Sequence, residues 1–218
     1  MNYKKILTIE QVIYLKKKKA FLENMPEHCI ATQSIFIHIP KSAGMSVVKA
    51  LYGKDSSNHD TWREYYYRDK SKFKEYFKFA FVRHPLERFI SAYEYLLKGG
   101  KSDADIFWRD KYLTPYSNVN DFILKGGLER AIKGGAEHFT PQVDFVCEGD
   151  NVLVDYIARY ESINKDFEYI RSKIGGAVLS VENKNANKKT FSLISSSKEK
   201  LETVYAKDYK VFGYTKNA

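Results

Sequence analysis

The chain has 218 residues, of which 44% are hydrophobic and 15% aromatic, and its 36 basic and 27 acidic side chains leave a net charge of +9 at pH 7. This length suits one domain with a substantial core, and the composition excludes a largely disordered chain. The sequence has neither a run of roughly 18 apolar residues nor an apolar N-terminal signal, so we expect no membrane-spanning helix and no secretion. The excess charge favours an anionic partner, such as nucleic acid, an anionic membrane surface or a phosphorylated small molecule.

The N-terminal segment carries isoleucine and leucine at loosely helical intervals over residues 3–24, which predicts a helix. Its four-lysine run at 16–19 is typical of a solvated face, and a patch for peripheral contact with a membrane or another surface is the alternative. We therefore divide the chain into an N-terminal helical segment, 1–30, and a single domain, 31–218.

Two units of strand, turn and helix follow. Residues 34–39 form a β-branched and aromatic run, which predicts a buried strand that ends at Pro40, because proline cannot donate to a sheet ladder. Apolar positions over 47–52 then follow helical spacing. Residues 78–82 predict a second buried strand, and the sequence after it predicts a helix over 86–97.

The second half of the domain is less regular. The pattern predicts helices over 101–135, broken by Pro115 and two Gly-Gly pairs, which suits an insertion that faces the substrate. The remaining predicted elements are a strand at 151–160, a helix at 162–174, a strand at 177–181, a basic loop at 183–190 and a final helix at 198–206.

Strands that alternate with helices predict an α/β fold, in which helices flank a central, mainly parallel sheet. The two cysteines, Cys29 and Cys147, belong to no CxxC motif and no cluster of histidines. Neither a disulfide framework nor a structural zinc site is therefore supported, and we expect two buried, reduced thiols.

The turn after the first strand suits a bound phosphate. Parallel sheets bind ligands at the carboxyl ends of their strands, where the next helix presents unpaired N–H groups. Small residues at 42–44 would let the backbone approach the ligand, while Lys41 adds a charge and Ser46 a hydroxyl. The whole loop consists of Pro40, Lys41, Ser42, Ala43, Gly44, Met45 and Ser46. Its lysine precedes the glycine, unlike the G-x-x-x-x-G-K-[ST] loop of nucleoside triphosphatases.

Two motifs carry a resemblance to a known family. P-K-S-A-G-M-S at 40–46 resembles the 5′-phosphosulfate loop of sulfotransferases that use 3′-phosphoadenosine 5′-phosphosulfate (PAPS). F-V-R-H-P-L-E-R-F-I-S-A-Y at 81–93 is similar to their second signature, V-R-[ND]-P-x-[DE]-R-x-x-S-x-Y. Segments 138–145, 159–167 and 205–214 are similar to the carbohydrate-type branch of that superfamily. The resemblance implies a P-loop-like three-layer fold with PAPS as the sulfuryl donor.

The resemblance also assigns residues to the nucleotide. Arg83 and Ser91 would bind the 3′-phosphate, and they lie eight residues apart, about two turns of a helix. Arg88 is either a further phosphate ligand or part of an internal salt bridge. Lys184 and Lys188 lie in a loop that relatives bring toward the nucleotide, with a solvated loop as the alternative. We expect no metal, because a sulfuryl group carries less negative charge than the phosphoryl group for which enzymes recruit Mg²⁺.

Sulfuryl transfer needs a base for the acceptor hydroxyl and a cation over the leaving oxygen. Lys41 is the candidate cation. His59 lies between the two nucleotide motifs, where carbohydrate sulfotransferases have a histidine, and an ordinary histidine pKa of about 6.5 suits a base near neutral pH. His138 is the second candidate. We expect His38 and His84 to be structural.

The predicted function is sulfuryl transfer from PAPS to a hydroxyl of a carbohydrate or glycan-like acceptor. The alternatives are a sulfotransferase for a non-carbohydrate small molecule and a nucleotide-binding protein without transfer activity. A nucleic-acid binder has only the net charge in its favour, and a kinase lacks the expected lysine placement. Animal relatives are anchored in the Golgi, whereas this sequence shows no anchor, so we expect a bacterial, cytoplasmic enzyme.

Overall fold

A three-stranded parallel sheet lies at the centre of the fold in the computed structural model, which describes residues 7–179 and 191–216. Strand β2 (Phe77–Val82) lies between β1 (Ser34–Ile37) and β5 (Tyr156–Arg159). Nearly every residue of β1 and β2 is buried, which explains why both read as continuous apolar runs. The sheet confirms the predicted α/β class.

Helices surround this sheet. In the described residues they are α1 (Ile9–Ala20), α2 (Glu27–Thr32), α3 (Gly44–Tyr52), α4 (Trp62–Arg68), α5 (Lys70–Glu75), α6 (Pro85–Leu97), α7 (Asp103–Trp108), α8 (Val119–Leu124), α9 (Gly127–Lys133), α10 (Val143–Val146), α11 (Ile163–Ile174), α12 (Ser195–Val204) and α13 (Ala206–Phe212). A π-helical turn, Arg109–Leu113, extends α7.

The two faces of the sheet belong to two different cores, because alternate side chains of a strand point to opposite faces. Phe36, Phe79 and Phe81 pack with apolar residues of α3 and α11. Ile37 and Ala80, on the other face, pack with apolar residues of α2, α4 and α10. A third core lies among α6, α8, α9 and α12. The predicted helices of 101–135 contribute to this third core.

The structure corrects the predicted strand at 151–160. Asn151–Val152 forms β4, which pairs antiparallel with β3 (Cys147–Glu148) away from the main sheet. The sheet strand β5 begins only at Tyr156. Asp155, the residue before it, makes two hydrogen bonds to Lys78 of β2: the Asp155 N–H donates to the Lys78 carbonyl, and the Asp155 carboxylate accepts from the Lys78 N–H. These bonds interrupt what the sequence presents as one apolar run.

Other predicted elements differ in extent. Residues 177–179 form no strand, and the rest of the predicted 177–181 strand lies outside the described residues. The polar stretch before β2 contains α4 and α5, which begin at side-chain caps from Thr61 and Asp69. The final helical segment consists of α12 and α13.

Both cysteines are buried and free, as predicted. Burial raises the pKa of the Cys29 thiol to about 12 and that of Cys147 to about 11. Thiols with such raised pKa values are protonated at neutral pH and are poor nucleophiles.

The N-terminal helix α1 packs against the domain. Its first turn has a capping box between Thr8 and Gln11, and Ile13 packs against the third core. Lys17, from the four-lysine run, donates to the Gly135 carbonyl at 3.3 Å. Lys17 therefore contacts the domain through this hydrogen bond, although all four lysines of the run are exposed.

Arg68 joins the N-terminal segment to the loop before α4. Its side chain is only 1% exposed and pairs with the Asp60 carboxylate at 2.9 Å. The Arg68 guanidinium also donates to the Ala20 carbonyl at 2.8 Å and lies 3.4 Å from Glu23. Loss of this arginine would leave Asp60 buried without its counter-ion.

We therefore predict that Arg68→Ala lowers the free energy of unfolding by about 3 kcal/mol, as expected for one partner of a buried ion pair. Lys49→Ala is the control, because Lys49 and Asp55 form an exposed pair 3.9 Å apart and their separation should cost less than about 0.5 kcal/mol. Chemical denaturation measures both. Equal, small effects of the two substitutions would contradict a structural role for Arg68.

Candidate active site

The carboxyl ends of the three sheet strands bring the sequence motifs together. Strand β1 leads into the loop at 40–46, β2 ends next to Arg83, and β5 ends next to Tyr160. Because parallel strands end at the same edge, these three segments are neighbours there. The sheet topology therefore places both nucleotide motifs at one edge.

The loop at 40–46 has an unusual backbone. Lys41 and Ala43 both have φ of 68°, in the left-handed region that non-glycine residues rarely adopt. Ser42 between them is fully buried, and its hydroxyl has no partner in the part of the chain that the structure describes. Helix α3 starts within this loop, at Gly44, and its first-turn N–H groups have no intrahelical acceptor. The loop thus presents several unused donors.

Gly44 and His38 determine how this loop closes. A Cβ at position 44 would lie 1.8 Å from His38 Cδ2, so only glycine fits against the imidazole. His38 also stacks on Phe36 with 5.7 Å between ring centroids, and burial holds its pKa well below the usual range. These contacts support the structural role predicted for His38.

Lys41 points across the site toward Tyr95 of α6. Its ammonium lies 4.0 Å from the centre of the Tyr95 ring, and the Tyr95 hydroxyl donates to Asp105 at 3.0 Å. Burial, followed by the positive charge of Arg83, lowers the pKa of Lys41 to about 8. The side chain is therefore still an ammonium at pH 7 and loses its proton above pH 8.

Arg83 is placed by its backbone as well as by its side chain. Its N–H donates to Gln142 Oε1 and its carbonyl accepts from Gln142 Nε2, both at 2.9 Å. Asp208 in turn accepts from the backbone N–H of Gln142 at 2.9 Å. The Arg83 guanidinium stacks on Tyr160 at 4.4 Å and lies 3.5 Å from the Lys41 carbonyl. Gln142 and Asp208 belong to the resembling segments, but the sequence assigned them no role.

Three other residues of the second motif have different surroundings. Arg88 is fully buried and donates to the carbonyls of His138 and Thr140 at 3.2 and 2.6 Å. Arg88 therefore bonds to the interior of the fold. An internal salt bridge was one alternative predicted from the sequence, but the partners are backbone carbonyls. The backbone N–H of His84 donates to the Glu161 carboxylate at 2.7 Å. Ser91 lies half-buried on α6.

His59 and Glu137 form a close pair that the sequence did not predict. His59 Nδ1 lies 2.5 Å from Glu137 Oε1. Burial alone would raise the pKa of Glu137, but the hydrogen bond and charge of His59, with a smaller contribution from His138, bring it below its ordinary value. The imidazole of His59 also meets those of His38 and His138, with centroids 4.6 and 5.6 Å apart.

His138 has an enclosed position. Its side chain is 6% exposed, with Nδ1 3.7 Å from the Asp105 carboxylate, and its ring stacks on Tyr95 at 4.9 Å. Burial, with the positive charge of His59, lowers its pKa to about 3. The ring is neutral at physiological pH and packed on both sides.

The remaining expectations from the sequence concern the two loop lysines and a membrane-spanning helix. Lys184 and Lys188 fall outside the described residues. No helix among the described residues is long and apolar enough to span a membrane.

A comparison with protein families matches residues 13–215 to the model of the sulfotransferase family. The chain belongs to this family. No curated protein matches the sulfotransferase described above. No solved structure matches it either. The family match begins within α1 and includes both nucleotide motifs, the His59 loop and the Gln142 and Asp208 segments.

The geometry of this sulfotransferase predicts an unusual titration of Lys41. Its signal should titrate near pH 8, whereas exposed lysines titrate near 10.4, and Arg83→Met should raise the pKa because it removes a neighbouring positive charge. NMR of reductively ¹³C-methylated protein measures the titration, and Lys41→Arg identifies the signal. If the Lys41 signal titrated with the exposed lysines, its burial against Tyr95 would be wrong.

Proposed function

We propose that this sulfotransferase uses PAPS as donor and transfers the sulfuryl group to a hydroxyl of a carbohydrate or glycan-like acceptor, with His59 as the base. The observation that carries the proposal is the convergence of three features at one sheet edge. These are the loop at 40–46 with its half-buried lysine, Arg83 beside that loop, and a histidine paired with a carboxylate.

The residues at this edge suit the donor nucleotide. Ser42 has a buried hydroxyl with no partner among the described residues, and α3 directs its N-terminus and unpaired N–H groups at the same loop, a combination that favours phosphate. Arg83 offers a planar fork for a second phosphate. When bound, PAPS supplies the sulfuryl group and leaves negative charge on a phosphate oxygen. The Lys41 ammonium, which is protonated below pH 8, can neutralise that charge.

The surroundings favour His59 over His138 as the base. His59 is half-buried and joined to a carboxylate, whereas the pKa of His138 is lowered to about 3 by burial. A base with so low a pKa accepts protons poorly near neutral pH. His138 instead packs between Tyr95 and Trp108, where it supports the wall of the site.

The carbohydrate acceptor rests on sequence segments and on the presence of a candidate histidine base. The segments at 138–145, 159–167 and 205–214 resemble the carbohydrate-type branch. Two of them contain Gln142 and Asp208, which position Arg83. A hydroxyl acceptor also agrees with a histidine base, since an alcohol must lose its proton during the transfer.

Nucleotide binding is tested by calorimetry with 3′-phosphoadenosine 5′-phosphate, the desulfated product. We expect Arg83→Ala to weaken its binding about 10- to 100-fold, because a charge-assisted hydrogen bond contributes about 1.5–3 kcal/mol. Arg171→Ala removes the same charge from an exposed pair on α11 and should leave binding unchanged. Failure of the wild type to bind, or binding no tighter than that of ATP, would reject PAPS as the donor.

Transfer is tested with PAPS labelled in its sulfur and a panel of saccharides, with a phenol as the non-carbohydrate acceptor. His59→Asn should retain nucleotide affinity within about twofold and lose roughly 10²- to 10⁴-fold in kcat, the usual contribution of a general base. His28→Asn, a substitution on α2, is the control. Retained turnover in His59→Asn would transfer the role to His138, and transfer to the phenol alone would reject the carbohydrate acceptor.

A further inference from the structure

The pair of His59 and Glu137 joins two segments that are far apart in the sequence. Glu137 lies 78 residues after His59 and belongs to neither nucleotide motif. The two side chains are 18% and 26% exposed, so the contact is sheltered from water without being closed to a ligand. A close carboxylate contact of this kind determines which imidazole nitrogen carries a proton.

The Glu137 side of the pair is rigidly placed. Glu137 starts a 3₁₀ turn, Glu137–Phe139, whose carbonyls are acceptors for buried groups. Arg88 donates to the His138 carbonyl, and the Tyr205 hydroxyl donates to the Phe139 carbonyl at 2.9 Å. These bonds fix the backbone from which the Glu137 carboxylate projects.

The His59 side is fixed by its own neighbours. Asp60, the next residue, pairs with the buried Arg68 at 2.9 Å. Thr61 then caps α4, where Glu64 completes a capping box. Both halves of the pair are therefore positioned by bonds that exist without a ligand, as a preorganised catalytic group requires.

Among the described residues, three ionisable side chains contact the His59 ring: Glu137, His38 and His138. The pKa of Glu137 lies below its ordinary value, chiefly because the hydrogen bond and charge of His59 outweigh burial, so the carboxylate is ionised at neutral pH and can only accept hydrogen bonds. The other titratable rings that meet His59 are His38 and His138, and burial holds both neutral. Glu137 is thus the anion in direct contact with His59.

We propose that Glu137 is a positioning residue that keeps His59 in the Nδ1–H tautomer, leaves Nε2 free to accept the proton of the acceptor hydroxyl, and stabilises the imidazolium that results. The inference rests on the proposed function of His59. In the step, the O–H bond of the acceptor would break and an Nε2–H bond would form, while the oxygen would use the released electron pair to bond to sulfur. The bond between sulfur and the phosphate oxygen of the donor would break, and its electron pair would leave with 3′-phosphoadenosine 5′-phosphate. Glu137 itself takes no proton, and His59 later releases its proton to water.

The test compares Glu137→Gln with Glu137→Asp and with Glu168→Gln, a control on α11 whose glutamate pairs with Arg171 at the surface. Glutamine keeps the shape of the side chain and removes its charge, and thermal unfolding verifies that each variant is folded. The first measurement is the ¹⁵N shift of the His59 ring nitrogens, assigned with His59→Asn. We expect Nδ1–H in the wild type and a mixture of tautomers in Glu137→Gln. An Nε2–H wild type would overturn the inference, whether or not any acceptor is known.

The second measurement is turnover. Glu137→Gln should lower kcat at least about tenfold with KM and nucleotide affinity within twofold, and Glu137→Asp should recover part of the loss. An unchanged kcat would overturn the inference. Activity in His59→Asn without activity in Glu137→Gln would also overturn it, since Glu137 would then be the base.

A failure of the proposed function gives a different result. In that case the wild type would not bind the nucleotide, and the Glu137 variants would resemble it in binding, although the His59 ring would still show the Nδ1–H tautomer. The tautomer therefore tests the role of Glu137, and nucleotide binding tests the function on which that role depends.

Discussion

The contact between the His38 ring and Gly44 is the constraint on which the candidate site depends. The ring follows the end of β1 and Gly44 begins α3, and no side-chain atom fits between them. The chain makes this turn with left-handed backbone at Lys41 and Ala43, a conformation that costs about 1–2 kcal/mol for each residue with a side chain. The same ring meets His59. One buried imidazole therefore supports both the phosphate-type loop and the candidate base.

Buried polar groups place the rest of the site. Gln142 bonds to both backbone groups of Arg83, and Asp208 accepts hydrogen bonds from Gln142 and from the Val143 N–H. Arg88 has the corresponding role for the turn that carries His138. Each of these side chains would be costly to bury without a partner. The candidate site is thus built on a framework of buried polar groups that hold its backbone in place.

Several features of the fold were predictable because their signals are local. Continuous apolar runs predicted β1 and β2, and Pro40 limited the first run, although β1 itself ends at Ile37. The helix α6 and the helical character of 101–135 followed from spacing. The strand at 151–160 was extended too far because Asp155, which bonds to Lys78, stops the sheet pairing through a contact between distant residues. The caps of α4 and α5 were present in the sequence, but the aromatic, charged stretch concealed its helical pattern.

The sequence by itself determined the α/β class and the two motifs that carry the family resemblance, because each of these depends on neighbouring residues or on short spacings. Only the tertiary structure decided which charged residues lie together at the candidate site. Arg88 lies in a nucleotide motif and yet bonds to internal carbonyls, whereas Glu137 belongs to neither nucleotide motif and meets His59. The physical reason is that hydrogen bonds and burial depend on the packing of segments far apart in the chain, which composition and periodicity do not record.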